Sequence, residues 1–476
     1  MVLRKSPSSR PLRMATTFKD TTNKELREQW TNPGDILSVL LLIGGDIVQK
    51  AVAQLVGSEL PPFGHRRPKP NSQSTFSLPL VPVAFSFGWV AFSFTQLLAA
   101  VGDRKLMPLP EKSAIIVNCA NGFRRNNNSW ILERLLRDHE ACNPVDSVRI
   151  SLRIDIFELG PLQKPVPDRV WWLGLLTILA QIAMAIPPWV VSNDWGTMMI
   201  ILSGTLLAFV TCCLPQWKDE KWACRVLDKD NVTCLTRGNG CKHIMIFIAR
   251  KGSPDLETLA TAVGTPRHET PILMVGLATL WVCLLLSVSS LKNNAWYMVG
   301  IGGLGMLQNV YAAGAIRHSK TTGLRLKPFE RKSAILGESL RVTDENNADV
   351  DFIELAENVK PLADWLDTQS PAQMPAWLES MNASGGIPNW LEPVTRPGGV
   401  IRVHGALQEL EKWVPGAGLA MIQVFFPSSF QYDDSRVRDN VNKKFWTRAS
   451  ITRAIRRKTE QARQKRLPAG HSASGP

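Results

Sequence analysis

The chain has 476 residues, 45% of them hydrophobic and 20% charged, and 55 Lys and Arg against 41 Asp and Glu give a formal net charge of +14. With a mean hydropathy near zero, this composition excludes both a disordered chain and a pure membrane bundle, and the length leaves room for two or three domains. Eight cysteines are too few for a disulfide scaffold at this length, so they read as free thiols.

Residues 1–35 form a basic segment with seven Lys or Arg and no secretory h-region. Apolar blocks follow at 36–57, 78–101, 170–191, 196–214, 271–291 and 296–315, each about the 18–25 residues that cross a bilayer. Tryptophans such as Trp171, Trp189, Trp217 and Trp296 mark block edges, where an amphipathic ring prefers the headgroup level. The expected fold is an α-helical integral membrane protein of about six spans, with a cytosolic α+β portion built from loops and the C-terminal tail. The expected segments are 1–35 cytosolic, 36–101 spans one and two, 102–169 a cytosolic loop, 170–214 spans three and four, 215–270 a second loop, 271–315 spans five and six, 316–445 a cytosolic region and 446–476 a basic, partly disordered tail.

Charge near the span ends orients the chain. The polar segments that alternate on one side carry seven, eleven, nine and twenty-three Lys or Arg, and those on the other carry three, none and one. Both termini are therefore expected in the cytosol, at the endoplasmic reticulum or plasma membrane, and the sequons at Asn127, Asn231 and Asn382 are expected to be unglycosylated.

The first block, LLLIGGDIVQKAVAQLVG, places Asp46 near mid-membrane, where insertion of an Asp or Lys costs about 2.5–3.5 kcal/mol each. Lys50 lies four residues on, and Gln49 extends the same polar stripe. The stripe faces either a site between helices or a polar partner on another span: Gln96, Gln181, Gln308 or Asn309. Gly300, Gly302 and Gly305 spell G-x-G-x-x-G, but inside an apolar block this reads as close helix approach and not as a phosphate site.

In the first cytosolic loop SAIIVNC reads as a strand, SWILERLLRDHE as a helix and DSVRISLRIDIFEL as a long alternating strand; in the second, HIMIFIAR reads as a strand ahead of SPDLETLATAV, a helix with Ser253 and Pro254 at its start. Fragments this small cannot bury enough surface alone, so the loops and part of the tail are expected to assemble together. Cys224, Cys234, Cys241 and His243 are weak metal candidates, since C-x9-C-x6-C-x-H matches no familiar zinc spacing. The seven histidines are scattered; His404, with Glu409 and Glu411 close in sequence, is the cytosolic site candidate, and Asp155 in RIDIF is another. No nucleophile elbow, H-E-x-x-H or Walker loop is present, and no cofactor is expected. The segment 446–466, with eight basic residues and one acid, suits an anionic lipid surface better than nucleic acid.

GWVAFSFTQLLAAVGDRKLMP and VHGALQELEKWVPGAGLAMIQVFFP resemble multi-pass membrane proteins of filamentous ascomycete fungi, a group with no assigned activity. The resemblance implies a membrane location and the setting of specialised metabolism, and carries over no catalytic residue. The expected partners are the lipid bilayer and an apolar small molecule. The expected role is binding or scaffolding, with a membrane-embedded enzyme or accessory factor for an apolar metabolite as the alternative and a channel or carrier as the third.

Overall fold

The computed structural model describes residues 44–58, 80–102, 104–145, 149–264, 267–289, 295–338 and 402–426. In chain order these hold α1 (Gly45–Leu55), α2 (Gly88–Val101), β1 (Ile115–Asn118), β2 (Arg124–Asn126), α3 (Trp130–Cys142) and β3 (Ile150–Leu159). Next come α4 (Arg169–Ser192), α5 (Gly196–Cys212), α6 (Gln216–Lys221), β4 (Asn231–Thr236), β5 (His243–Ala249) and α7 (Leu256–Thr261). The order closes with α8 (Glu269–Ser289), α9 (Ala295–Gly314), β6 (Leu326–Pro328), β7 (Ala334–Glu338), α10 (Arg402–Trp413) and α11 (Ala417–Phe425). The chain divides into two compact units: Met1–Leu109, Lys164–Ala223 and Val263–Arg317 form unit 1, and Pro110–Gln163, Cys224–Ala262 and His318–Pro476 form unit 2.

This overturns the six-span expectation. A mixed seven-stranded sheet accompanies the helices, and among the described residues only α4 and α8 are both long and apolar enough to cross a membrane. The missing spans have local causes. α1, as described, has 11 residues, about 16 Å of helix, and its N-cap Gly44 lies in the left-handed region. In the second block Pro82 lies within a non-helical stretch, residues 80–86, and α2 starts only at Gly88. α5 stops at 17 residues, and α9 has the length but dilutes its apolar face with glycines, Gln308 and Asn309.

In unit 1 each helix packs on the next to close a ring, α1–α2–α8–α5–α4–α9 and back to α1. Residues 81–86 are buried among them without being helical. Backbone polar groups in such a place need partners, and amides on the surrounding helices supply them. Gln181 Nε2 on α4 donates to Phe85 O at 2.7 Å and to Ile301 O at 2.8 Å. On α9, Gln308 Oε1 accepts from Ala84 N at 3.2 Å, while Asn309 Nδ2 donates to Ser86 Oγ at 2.8 Å and Ala84 O at 3.3 Å. Glycines give this segment room: a Cβ on Gly305 would lie 1.8 Å from Phe85 O, one on Gly174 2.1 Å from Pro82 O, and one on Gly302 2.2 Å from the Phe87 ring. Phe85 and Trp89 both stack on Trp281 of α8, with ring centroids 6.3 and 5.4 Å apart. Gln96 of α2, wholly buried with neither amide atom partnered, lines a small cavity with Gln216 and Thr270 that has room for about one water.

The C-terminus of α1 is held by two basic side chains. Buried Lys221 donates to Val56 O at 2.8 Å and Gln54 O at 3.4 Å, and Arg317 Nη1 donates to Gln54 O at 2.6 Å. Carbonyls left without helical partners, at the negative end of the dipole, favour such donors. Arg317 also grips Asp168 at 2.7 and 2.9 Å, and Asp168 in turn caps α4 by accepting from Trp171 N.

Unit 2 is built on the sheet, ordered β2-β1-β4-β5-β3-β6, with β7 pairing along β3 beside β6. β3 and β5 run parallel, and every other pairing is antiparallel. Strand alternation sends Leu152, Ile154, Ile156, Ile244 and Ile246 to a face covered by α10 and α11. Glu411 joins those two helices: its carboxylate accepts from Gly416 N at 2.7 Å and Leu419 N at 3.0 Å, capping α11. The helix expected from SPDLETLATAV is capped by Asp255, which accepts from Glu257 N, whereas Ser253 donates to Leu159 O on β3.

Two outcomes follow for unit 1. Gly305→Ala forces a Cβ onto the Phe85 carbonyl and is expected to destabilise by at least the upper end of the roughly 1–3 kcal/mol of overpacking, whereas Gly303→Ala, with open space around it, gains up to about 1 kcal/mol from helix propensity. Thermal melts of the purified variants distinguish them. Burial, and then the charge of Arg317, push Lys221 well below its ordinary value of 10.5. Unfolding therefore takes up a proton between the folded and unfolded values, so stability is lowest below the folded value and rises with pH towards 10.5. Lys221→Met is expected to flatten that rise in melts taken between about pH 7 and pH 10.

Candidate functional site

The titratable side chains that converge in unit 2 come from three elements. His139 lies in the last turn of α3, where the dipole favours a cation. Asp155 projects from β3 towards it, and the parallel register Arg153↔His243 brings the first residue of β5 alongside. His139 Nε2 lies 2.8 Å from Asp155 Oδ2. Arg153 donates to the same carboxylate from Nε at 2.8 Å and from Nη2 at 3.1 Å, and Nη2 also reaches Asn143 Oδ1 at 2.9 Å. The His139 ring stands edge-on to Phe157 and to His243, with centroids 5.6 and 6.3 Å apart. One donor atom each from His139, Asp155 and His243 all lie within 4.8 Å of one another, the one such group of three among the described residues.

The electrostatics follow from burial and pairing. Burial alone would raise the Asp155 carboxyl, but the hydrogen bonds from His139 and Arg153, with their charges, outweigh it and hold the group below its ordinary value. Burial pushes the His243 imidazole down, against the pull of Glu140. His243 is 8% exposed, and its Nδ1 is buried with no partner. Next to the group, Arg237 donates from Nε to both Glu140 oxygens at 3.0 and 2.9 Å and reaches Glu133 Oε1 at 3.4 Å. Burial raises the Cys241 thiol, whose sulfur lies 3.5 Å from Glu140 Oε1. The turn of the β4–β5 hairpin, with Gly238 and Gly240 at φ 97° and 88°, presents Arg237, Cys241 and His243 together.

Of the four residues singled out as metal candidates, only His243 belongs to this group. Cys234 faces the opposite side of the sheet, its sulfur 3.1 Å from that of Cys119 under α10 and α11. Cys224 is half-buried, its thiol pushed up to about 11 by burial and then by Asp255, and Cys241 contacts Glu140. His404 falls in the first turn of α10, its side chain outside the description. Its expected companions have structural partners: Glu409 accepts from Trp413 Nε1 at 2.8 Å, and Glu411 caps α11.

The intramembrane candidates change character. Asp46 is exposed in the first turn of the short α1, where a carboxylate suits the positive end of the dipole, and Gln49 donates to Leu106 O at 2.7 Å. Lys50, on the same helix, is half-buried. Among the described residues Asp46 therefore sits at the start of a helix and not midway along one, and residues 36–43 of the block lie outside the description. The basic stretch 446–466 and the sequon at Asn382 lie outside the described residues.

No protein family, curated protein or solved structure matches the chain.

His139, Asp155 and Arg153 form one buried, charge-assisted network, so its loss is measurable. Asp155→Asn is expected to destabilise unit 2 by about 3–5 kcal/mol, the cost of stranding a buried charge without its partner. A lowered melting temperature without loss of secondary structure at low temperature is the signature.

Proposed function

We propose that the protein is an integral membrane protein that binds or scaffolds a partner through unit 2 while apolar helices of unit 1 hold it in lipid. The observation that carries this is the outward face of α4, α5, α8 and α9, which exposes Leu176, Val190, Leu206, Ile272, Leu286 and Leu307 among many other large apolar side chains. Soluble monomers rarely expose contiguous apolar patches beyond a few hundred Å². α4 and α8, at 24 and 21 residues, have about 36 and 32 Å of helix for a hydrocarbon layer of roughly 30 Å.

Chain connectivity then limits the topology. Strands β1–β3, β4–β5 and β6–β7 hydrogen-bond in one sheet, so all three segments share one side of a bilayer. Residues 164–223 and 263–317, which link them, must each cross an even number of times. α4 therefore needs a return through α5, which packs on it, and α8 needs one through α9, which packs on α4 and α1; α5 and α9 fall short of α4 and α8 in length or apolarity and rely on those neighbours. Eleven and nine Lys or Arg in 102–169 and 215–270, against none in 192–195, favour the cytosol for unit 2 at an internal or plasma membrane. The resemblance quoted above suggests a fungal membrane, and the tail at 446–466 suits anionic lipid. A second reading, an enzyme or accessory factor acting on an apolar metabolite, draws on the His139–Asp155 pair, whose buried carboxylate could orient an imidazole for proton transfer.

Cysteine labelling in sealed vesicles tests this. Native Cys142, exposed in unit 2, and an Asn193→Cys substitution in the exposed α4–α5 turn are expected to react with an impermeant maleimide from opposite faces. Labelling of both from the same face, or release of the chain by alkaline carbonate, rejects the proposal.

A further inference from the structure

We propose that His139, Asp155 and His243 form a binding site for one divalent transition-metal ion of the zinc class. Two imidazoles and a carboxylate are the borderline nitrogen and oxygen donors that zinc takes, and three protein ligands leave a fourth position for water or a ligand. Bonds of about 2.0–2.1 Å in tetrahedral geometry set neighbouring donors roughly 3.3 Å apart. His139 Nε2 and Asp155 Oδ2, at 2.8 Å, need to part by only about half an ångström, and every donor atom in the group already lies within 4.8 Å of the others. Two of the three ligands stand on paired strands with fixed register, and the third on a helix packed over them, so the donors are held by rigid elements.

An independent observation points the same way. Nδ1 of His243 is buried and unpartnered on a side chain 8% exposed, which is costly unless something absent from the chain itself meets it. The surroundings resemble the outer support that metal ligands need: Arg153 holds the Asp155 carboxylate, and Asn143 Nδ2 lies 3.4 Å from His139 Nδ1. Arg153 is also the main opposing charge. A carboxylate has about four lone-pair positions, so the two arginine bonds leave acceptor capacity for a metal. The site does not depend on the membrane reading and stands or falls separately from it.

The test uses the full chain in detergent, stripped by chelator and titrated with Co2+ as a spectroscopic stand-in for Zn2+. Visible d–d absorption saturating at one equivalent and abolished by one equivalent of Zn2+ is expected. His139→Ala and His243→Ala should each weaken binding by about 10–100-fold or more, the range lost even for supporting residues, and Cys241→Ser should leave it unchanged. Should a variant fail to fold, Zn2+ protection of wild-type His139 and His243 against histidine-directed acylation, read by mass spectrometry, decides the same question. Wild-type protein that takes up no Co2+, binding unchanged in His243→Ala, or absence of Zn2+ protection overturns the site.

Discussion

Peptide groups removed from water must hydrogen-bond, and unit 1 meets that rule at an unusual place. Residues 81–86 run through the apolar helix ring as neither helix nor strand, with one tight turn in which Val83 N donates to Val81 O at 2.9 Å and no strand paired alongside among the described residues. Gln181, Gln308 and Asn309 replace such a strand, and each of these amides would be expensive inside the bundle without it. Gly174, Gly302 and Gly305 exist in that setting because the backbone and rings of residues 82–87 occupy the space a side chain would need. The ring, its polar side chains and its small residues are therefore consequences of one threaded segment.

Much of this was visible in the sequence without being interpretable. The apolar blocks mark all the large helices of unit 1, because length and composition are local properties. The second block's extent misled where Pro82 intervenes, and a hydropathy window averages over such an interruption. Gln181, Gln308 and Asn309 stand out as amides in apolar surroundings, yet their partner is a backbone segment about 100 to 225 residues away in the chain. The same holds for Lys221, whose burial depends on the end of α1.

Unit 2 divides similarly. Strand alternation in RISLRIDIFEL and HIMIFIAR, and the amphipathic pattern of SWILERLLRDHE, match β3, β5 and α3. RVHGALQELEKW and AGLAMIQVF form two helices that cover one face of that sheet, and neither segment carries a local signal naming its target. His139 escaped attention, and His243 stood out only beside Cys224, Cys234 and Cys241, because motif spacing looks within one helix or loop. They meet only through the parallel pairing of β3 with β5, which no local pattern specifies. Asp155 was noticed, but without its neighbours it had no chemistry.

The interleaving of the two units also constrains how the protein is made. β3 leaves the ribosome well before β5, and α4 and α5 are synthesised between them. The central parallel pair must therefore wait while an apolar hairpin is delivered elsewhere, and the α10–α11 cover arrives later still. Until then a nascent sheet shows its greasy side and open edges to the cell, the condition under which chains aggregate and chaperones are recruited.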